Sequence, residues 1–257
     1  MPEIINVPLK VTLVAETYSM GSAITDIYHA NDGVERRRDL GLVDSSSLPV
    51  VELAGRGCYE AYKRTHEKTD SHEGYMLNML EQKHFSVLEH AVASLHIEGI
   101  SRAESHELVR HRLFSFSQQS QRFCVVNKPY KVALHPTLLK HYSEEELLNN
   151  LKPDFELADQ VYKELRTAGL DKKPAAEAAR AYLPNAAATH LVMTGNLRNW
   201  IEFISKRDHE AADRGIQRLA EEIYRLLKEI LPEVFGDEAR AIWDEEFAQG
   251  KARHEAE

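Results

Sequence analysis

The alternation of apolar and polar positions predicts strands at three places in the chain. Residues 8–16 are rich in β-branched and apolar side chains, a composition typical of a strand. Residues 91–100 alternate, with Ala93, Leu95 and Ile97 on one face and polar side chains on the other. This period of two predicts a half-buried strand. A shorter apolar run at 189–194 predicts a buried strand.

Helical spacing of apolar residues accounts for much of the remaining chain. It predicts helices over 48–62, 71–83, 102–112, 154–168 and 174–182, another beginning near Asn199, and a long amphipathic helix over 212–230. Ser143 and Glu146 form a capping-box pattern, and Gly169 is predicted to be a C-cap. The apolar stripe of the long helix consists of Ile216, Leu219, Ile223, Leu226 and Leu227.

Two segments are predicted to lie outside this regular structure. Residues 17–47 contain glycines, a charge run and three consecutive serines, and are predicted to form an extended surface loop or arm. The charged tail from Gly236 is predicted to be loosely attached. Because no internal repeat and no Pro- or Ser-rich linker interrupts the chain, we predict a single α+β domain spanning residues 1–257.

Composition and charge narrow the possible functions. The 257 residues are 43% hydrophobic, enough for a substantial core, and carry a formal net charge of −9. This acidic balance disfavours general binding to nucleic acid or membrane surfaces, which requires a net positive field. Cys58 and Cys124 lack metal-type spacing and are predicted to be small buried residues rather than nucleophiles. With no stretch that resembles a signal peptide or a membrane span, the cytoplasm is the predicted location.

The segment at 110–122 concentrates polar chemistry within an otherwise acidic chain. It contains Arg110, Arg112 and Arg122 together with His111, three serines and three glutamines. Arginines this close together repel one another and leave many N–H donors to satisfy, which favours an oxygen-rich anion among them. The predicted helix 102–112 carries the first arginines of this segment at its C-terminal end, so the segment predicts a nucleotide site at a helix-to-loop junction.

Other motif-based interpretations of the chain are weaker. His106 and His111 are five residues apart, whereas the zinc-protease motif needs four, and five residues on a helix leave about 140° between the two side chains. The glycines at 55 and 57 lack the third glycine of a dinucleotide-binding loop. Ser120 has no elbow glycines and no identifiable base beside it, which disfavours a nucleophile. His84 and His90 lack a third metal ligand and are interpreted as structural or substrate-contacting groups.

The central segment also resembles a known family. Arg110-His111-Arg112, followed after seven residues by Ser120, is similar to the signature of the flavin-dependent thymidylate synthases. Residues 84–90 upstream, and 179–185, 194–200 and Arg207 downstream, match further family motifs in the same order. The resemblance covers about residues 48–235 and is greatest to actinobacterial members.

This resemblance implies a fold, an assembly and a reaction. It implies α+β subunits, each with a central, mostly antiparallel sheet flanked by helices, in a homotetramer whose active sites are shared between subunits. It also implies FAD as cofactor, dUMP as substrate, and NADPH and 5,10-methylenetetrahydrofolate as co-substrates, without a metal or a cysteine nucleophile. In that family NADPH reduces FAD, the folate donates its methylene carbon to the uracil ring, and the reduced flavin supplies the hydride that completes dTMP.

Site residues follow from the resemblance position by position. Those implied to bind dUMP are Glu107, Leu108, Val109, Arg110, Gln118, Gln119, Ser120, Gln121, Arg122, Arg180 and Arg207. Those implied to bind FAD are His84, Ser86, Arg110, His111, Arg112, Gln118, Asn196, Leu197, Arg198 and Glu202. Arg207 is the predicted catalytic residue, because a guanidinium beside the uracil imide stabilises negative charge that develops on the ring.

Some positions depart from the family pattern, and one rival function stays open. Ser117-Gln118 stands where many members have Asn-Glu, Phe123 where many have tyrosine, and Ala211 where histidine is frequent. The rival is a non-catalytic flavin- or nucleotide-binding protein with the same pocket. An RNA-binding module is disfavoured by the acidic charge.

Overall fold

Strands and helices alternate irregularly along the chain. The computed structural model describes residues 3–31, 48–64, 66–124 and 128–254. The strands are β1 (Ile4–Asn6), β2 (Lys10–Glu16), β3 (Val92–Ser101), β4 (Ser115–Gln118), β5 (Tyr130–Val132) and β6 (Ala188–Asn196). Antiparallel strands form a four-stranded sheet in the order β2-β3-β6-β4, and β1 pairs in parallel with β5.

Helices make up most of the regular structure. They are α1 (Gly21–Ala30), α2 (Leu48–Cys58), α3 (His72–Glu81), α4 (Arg102–Leu108), α5 (Pro136–Leu139), α6 (Glu144–Thr167), α7 (Lys172–Ala179), α8 (Leu197–Arg207), α9 (Arg214–Ile230), α10 (Pro232–Phe235) and α11 (Asp237–His254). Short 3₁₀ helices cover Glu67–Thr69, Phe85–His90 and Arg180–Tyr182. With its antiparallel sheet and many helices, the fold is α+β, as the sequence predicts. Within the residues described, no helix is long and apolar enough to cross a membrane.

The chain divides into two compact units, each discontinuous in sequence. The first unit comprises Met1–Thr12, His96–Met193 and Glu210–Leu219. The second comprises Leu13–Leu95, Thr194–His209 and Ala220–Glu257. The single domain over 1–257 therefore stays a prediction.

The first unit has an apolar core beneath its two-stranded sheet. Ile4 lies opposite Tyr130 in the parallel β1–β5 pair, and the ring of Tyr130 stacks on Phe155 of α6 with the centroids 5.1 Å apart. The buried members of this core are Ile4, Tyr130, Val132, Leu134, Leu147, Phe155 and Ala187. Burial of these side chains attaches α6 to the sheet.

The second unit is built around two buried tryptophans. The indole N–H of Trp200 in α8 donates to the carbonyl oxygens of Ala93 at 3.3 Å and Gly195 at 3.1 Å. The indole N–H of Trp243 in α11 donates to the carbonyl oxygen of Val234 at 3.1 Å. Both rings are fully buried with their polar atom satisfied, so they anchor their helices at little desolvation cost.

A buried charge network also stabilises the second unit. In α2, Arg56 donates from Nε to Oε1 of Glu52 at 2.7 Å, and both side chains are almost fully buried. The Arg56 guanidinium also donates to the carbonyl oxygens of Arg64 at 2.9 Å and Thr69 at 3.1 Å. Nδ1 of His72 lies 2.5 Å from the other Glu52 oxygen. The network thus joins α2 to the loop that follows it and to the start of α3.

The strongest periodic patterns are confirmed. β2, β3 and β6 lie at the three predicted strands, and Ala93, Leu95 and Ile97 are buried as the alternation requires. Ser143 and Glu146 form the predicted capping box, and Gly169 follows α6 with a φ of 94°. In α9, four members of the predicted apolar stripe are fully buried, and Leu226 is half-buried.

The prediction of a loop over 17–47 is wrong for residues 21–30, which form α1. Ile24 and Tyr28, four residues apart, are both buried, and the Tyr28 ring packs edge-on against Tyr62 with the centroids 5.4 Å apart. This tertiary burial stabilises a helix that the polar and glycine residues around it did not indicate. Residues 32–47 of the same predicted loop lie outside the described residues.

The prediction of a loosely attached C-terminal tail is also wrong for the side chains described there. Residues 237–254 form α11, in which Ala239 and Trp243 are buried. The segment is rich in charged residues, so its sequence did not predict this attachment. One large aromatic side chain, Trp243, buries as much apolar surface as several small ones and is enough to attach the helix.

Helix α6 is longer than the predicted helix 154–168. The helix begins at Glu144, directly after its capping residue Ser143, and continues through Pro153. Leu147 and Phe155 lie on the buried side of this helix, before and after the proline. Their burial in one core offsets the cost of an interior proline.

Candidate active site

The residues that the family resemblance implies are distributed over both units. The first unit contains Glu107, Leu108, Val109, Arg110, His111, Arg112, Gln118, Gln119, Ser120, Gln121, Arg122 and Arg180. The second contains His84, Ser86, Asn196, Leu197, Arg198, Glu202 and Arg207. The first unit thus carries every residue predicted for dUMP except Arg207, and the second carries most of those predicted for FAD.

In the first unit, α4 is fixed at its N-terminus by a capping box. The Ser101 N–H donates to Oε2 of Glu104 at 2.6 Å, and the Glu104 N–H donates to the Ser101 hydroxyl at 3.1 Å. Glu104 is buried and also accepts from Arg218 of α9 at 3.3 Å. A Cβ on Gly215 would lie 2.3 Å from Oε1 of Glu104, so only glycine permits α9 to pack this closely.

The signature arginines lie beyond α4, which corrects the predicted helix 102–112. The helix ends at Leu108, and the His111 N–H then donates to the Leu108 carbonyl oxygen at 3.0 Å, closing a turn. A further turn joins His111 to Phe114 before β4 begins. Because the chain must leave the helix to pair β4 within the sheet, Arg110, His111 and Arg112 occupy turns instead of a helical face.

Arginines in this unit differ in whether a carboxylate neutralises them. Arg122 pairs with Glu177 at 2.8 Å. Arg110, Arg112 and Arg180 are exposed and form no ion pair with any residue that the structure describes. These three guanidiniums are therefore available to an anionic ligand.

Arg102, which the sequence did not single out, adds to this positive charge. It occupies the first position of α4 and is half-buried. Burial lowers the pKa of the Arg102 guanidinium, and the nearby charge of Arg180 lowers it further. The two cations are thus close enough to repel, and an anion between them would relieve this repulsion. The only signal for Arg102 in the sequence is a cation directly after a buried strand.

Segment 115–124 is fastened to β6 by its backbone. The Gln119 N–H donates to the His190 carbonyl oxygen at 3.0 Å, and the Gln118 amide lies 3.4 Å from the Thr189 hydroxyl. The Ser120 hydroxyl accepts from the Arg122 N–H at 3.3 Å, within a turn that its own backbone closes. Ser120 therefore belongs to a backbone turn that presents polar groups, in keeping with its interpretation as a binding residue.

A cavity of about 270 Å³ in the first unit is lined by several of these residues. Gln119 and Gln121 line it together with His190 and Lys131. Cys124 also lines it and is exposed, as is Cys58, so the prediction that both cysteines are buried is wrong. Cys58 is the last residue of α2, and the Cys124 N–H closes a turn on the Ser120 carbonyl oxygen, so neither lies on the buried face of an element. A larger groove of about 690 Å³ along α6 contains none of the predicted site residues.

In the second unit, two predicted FAD segments are brought together. The Leu197 N–H at the start of α8 donates to the Ala91 carbonyl oxygen at 2.9 Å, just after the 3₁₀ helix Phe85–His90. Arg198 pairs with Glu89 at 2.5 Å, so its charge is already matched within the protein. These contacts place the segment that holds Ser86 beside the N-terminus of α8.

His84 has an aromatic neighbour that the sequence did not indicate. Its imidazole stacks on the ring of Tyr59, with the centroids 5.8 Å apart and the planes inclined by 20°. Tyr59 is 60% exposed, and His84 is half-buried. Together they form a planar surface of the kind on which an aromatic cofactor can pack.

The remaining predicted residues of the second unit lie on α8. The Asn196 side chain accepts from the Asn199 N–H at 2.9 Å and caps the helix, and Glu202 pairs with Lys206 one turn later. Arg207 is the last residue of α8 and is half-buried. Among the residues described, no three His, Cys, Asp or Glu side chains are arranged to hold a metal ion.

Comparison with known proteins agrees with the motif resemblance. The sequence profile of the family described as "Thymidylate synthase complementing protein" matches residues 42–233. The chain is 42% identical over 224 residues to a flavin-dependent thymidylate synthase of Corynebacterium aurimucosum, covering 82% of this chain and 86% of that protein. Proteins of the same name from Mycolicibacterium vanbaalenii and Mycobacterium tuberculosis are 40% identical over 244 and 245 residues, covering 90% of both chains in each case.

The profile match covers most of the chain, and these relatives are aligned along nearly their whole length. The residues matched by the profile include the turn after α4, the segment that follows β4 and the start of α8. The chain therefore belongs to the thymidylate synthase complementing protein family, whose members include the flavin-dependent thymidylate synthases.

Proposed function

We propose that the protein is a flavin-dependent thymidylate synthase that converts dUMP to dTMP. One observation supports this most directly: within the described part of the first unit, the exposed Arg110, Arg112 and Arg180 have no carboxylate partner. Surface arginines without a partner are suited to phosphate, whose oxygens accept two parallel N–H bonds from one guanidinium. In a chain of this family, the phosphates are those of dUMP and FAD.

The residues of the first unit fit the nucleotide substrate. Arg180 and the turn at 118–122 would bind the phosphate and sugar of dUMP, with the Ser120 hydroxyl as one of several polar groups. The repulsion between Arg102 and Arg180 would be relieved by the phosphate. The unneutralised positive charge of the ligand-free protein would thus favour the binding of dUMP.

The donor set also fits FAD. Arg110 and Arg112 supply cationic N–H donors suited to a pyrophosphate, and the stacked His84 and Tyr59 offer a planar surface suited to an aromatic ring. When bound, FAD would transfer to the nucleotide the hydride that NADPH provides, while 5,10-methylenetetrahydrofolate provides the one-carbon unit. Ser86, His111, Gln118 and the start of α8 complete the proposed contacts.

Arg207 is proposed as the catalytic residue. Its guanidinium keeps its charge at any relevant pH, so it would act by stabilising negative charge on the uracil ring and not by transferring a proton. We expect Arg207→Lys to retain the flavin absorption spectrum but to lower kcat by at least about tenfold, because the planar fork is lost. Wild-type turnover in this variant would refute the assignment.

The direct test of the function is product formation. Purified protein is mixed with FAD, NADPH, dUMP and 5,10-methylenetetrahydrofolate, and dTMP is measured by chromatography. Formation of dTMP that requires all four additions supports the proposal. A preparation that binds FAD and dUMP but forms no dTMP would show instead the rival function, a non-catalytic binding protein.

The assembly and location are proposed on the same basis. We propose a homotetramer with active sites shared between subunits, in the cytoplasm. Light scattering coupled to gel filtration would measure the mass of the assembly, and a monomeric mass in the presence of FAD would contradict the proposal.

A further inference from the structure

The residue that follows Arg207 carries the opposite charge. Asp208 is the C-cap of α8, and its N–H donates to the Ile204 carbonyl oxygen at 2.8 Å. Its side chain is only 13% exposed. A poorly solvated carboxylate is costly unless a cation or several donors hold it, and at a helix end it would otherwise move the chain towards solvent. What holds Asp208 therefore bears on the position of Arg207.

Asp208 is held by an arginine from the C-terminal helix. Nη2 of Arg240 in α11 donates to Oδ2 of Asp208 at 2.7 Å, and Nε donates to Asp244 at 3.1 Å. Burial opposes the charge on Arg240, but the hydrogen bonds to Asp208 and Asp244 outweigh it and raise the pKa of the guanidinium. Arg240 thus neutralises Asp208 in a partly buried setting, where such a pair is stronger than on the surface.

Arg240 is itself fixed in place. Its guanidinium carbon lies 4.2 Å from the centre of the Tyr224 ring in α9, a cation–π contact. Helix α11 is anchored by the buried Trp243, three residues later, and at its first residue by an ion pair between Asp237 and Lys228. The guanidinium is therefore presented to Asp208 by a rigid helix.

The same helix also contacts the segment around His84. Phe247 of α11 packs against Phe85 with the ring centroids 5.7 Å apart, and Glu246 pairs with Lys83. Helix α11 begins at Asp237, beyond residue 233, where the family match ends. A helix outside the family match thus touches both segments of the second unit that carry proposed active-site residues.

We propose that Arg240 is a positioning residue for Arg207. By pairing with Asp208, it fixes the C-terminal end of α8, where Arg207 is the last residue. Without Arg240, the poorly solvated Asp208 carboxylate lacks this partner, and the end of α8 is expected to shift as the carboxylate moves towards solvent. The inference rests on the proposed function, since Arg207 is the catalytic residue only in that reaction.

Kinetics of Arg240→Met test the proposal. We expect kcat for dTMP formation to fall by about tenfold or more while the KM for dUMP changes less and the flavin spectrum is retained, because the proposed dUMP contacts in the first unit remain. In the double variant with Asp208→Asn, most of the lost kcat returns, because no unpaired, poorly solvated carboxylate remains at the end of α8. The matched control is Arg225→Met, which removes an exposed arginine whose ion-pair partners among the described residues, Glu222 and Glu229, both lie in α9, and which is expected to retain wild-type kinetics.

The kinetics of Arg240→Met can contradict this proposal in two ways. An unchanged kcat in Arg240→Met overturns it, and so does a loss of kcat that Asp208→Asn fails to restore, since that loss is merely structural. Should Arg240→Met not fold, Arg240→Gln replaces it: the side chain stays polar but the charge that neutralises Asp208 is lost, and a kcat equal to that of wild type overturns the proposal.

A second measurement separates this proposal from the proposed function. Hydrogen exchange in the peptide 204–209 is expected to accelerate in Arg240→Met and not in Arg225→Met. If the wild-type protein forms no dTMP, the proposed function fails, and exchange alone then decides whether Arg240 fixes the end of α8. Unaltered exchange in Arg240→Met overturns the proposal.

Discussion

Replacing Arg180 by glutamine should weaken the binding of dUMP without lowering the stability of the fold. Arg180 is exposed and has no ion-pair partner among the described residues, so its loss breaks no ion pair in that part of the chain. Its removal also relieves the repulsion that lowers the pKa of Arg102. A hydrogen bond to a charged group contributes about 1.5–3 kcal/mol, which corresponds to an affinity loss of about 10- to 150-fold.

The assay is isothermal titration calorimetry with dUMP, because binding is measured without turnover. Arg166→Gln is the matched control: Arg166 lies in the same unit, donates to the Leu170 carbonyl oxygen and has no proposed ligand. Both variants should melt within about 2 °C of wild type, as surface substitutions do. An Arg180→Gln protein that binds dUMP within about twofold of wild type would refute the phosphate assignment. A large loss of melting temperature would show a structural role instead.

Two further predictions concern stability. Arg56→Met leaves the buried Glu52 without its guanidinium partner. The free energy of unfolding should therefore fall by about 3–5 kcal/mol and the melting temperature by about 6–20 °C. A change below about 1 kcal/mol in urea unfolding would contradict a stabilising role for this network. Glu3 pairs with Lys128 and Lys152, which lower the pKa of its carboxyl group to about 2 from an ordinary 4.5. Its stabilising effect should therefore be complete above pH 4.5 and disappear as the pH falls towards 2; a melting-temperature difference between wild type and Glu3→Gln that does not vary with pH would be inconsistent with this pairing.

Elements with a long, regular pattern could be predicted from the sequence. In β3 every second residue enters the core, and in α9 the apolar stripe repeats with helical spacing, so the local pattern and the tertiary burial agree. Capping residues such as Ser143 act within one turn of chain, and they too could be identified from sequence. Elements stabilised by a few distant contacts could not. Helix α1 depends on Ile24 and Tyr28, and α11 on Trp243, and in both helices these few apolar side chains lie among polar or charged residues.

In the candidate site, too, some features could be predicted from the sequence and others could not. Its chemistry was visible in the sequence because three arginines, a histidine and several amides within 110–122 have no place in a core. Their surroundings were not visible. Whether an arginine is neutralised depends on carboxylates that are distant in sequence, such as Glu89 for Arg198, which is 109 residues away. Arg102 and Tyr59 were missed because each gains its significance from a neighbour far along the chain.

By itself, the sequence determined the family of this protein and the residue types that its site requires, because motif spacing and side-chain chemistry are local properties. Only the tertiary structure decided which of those residues are charged and available and which are already paired. It left Arg110, Arg112 and Arg180 without carboxylates in the described part of the chain, and it brought Arg240 to Asp208. The physical reason is that charge and burial depend on distances in space, and folding sets those distances through contacts between residues far apart in sequence.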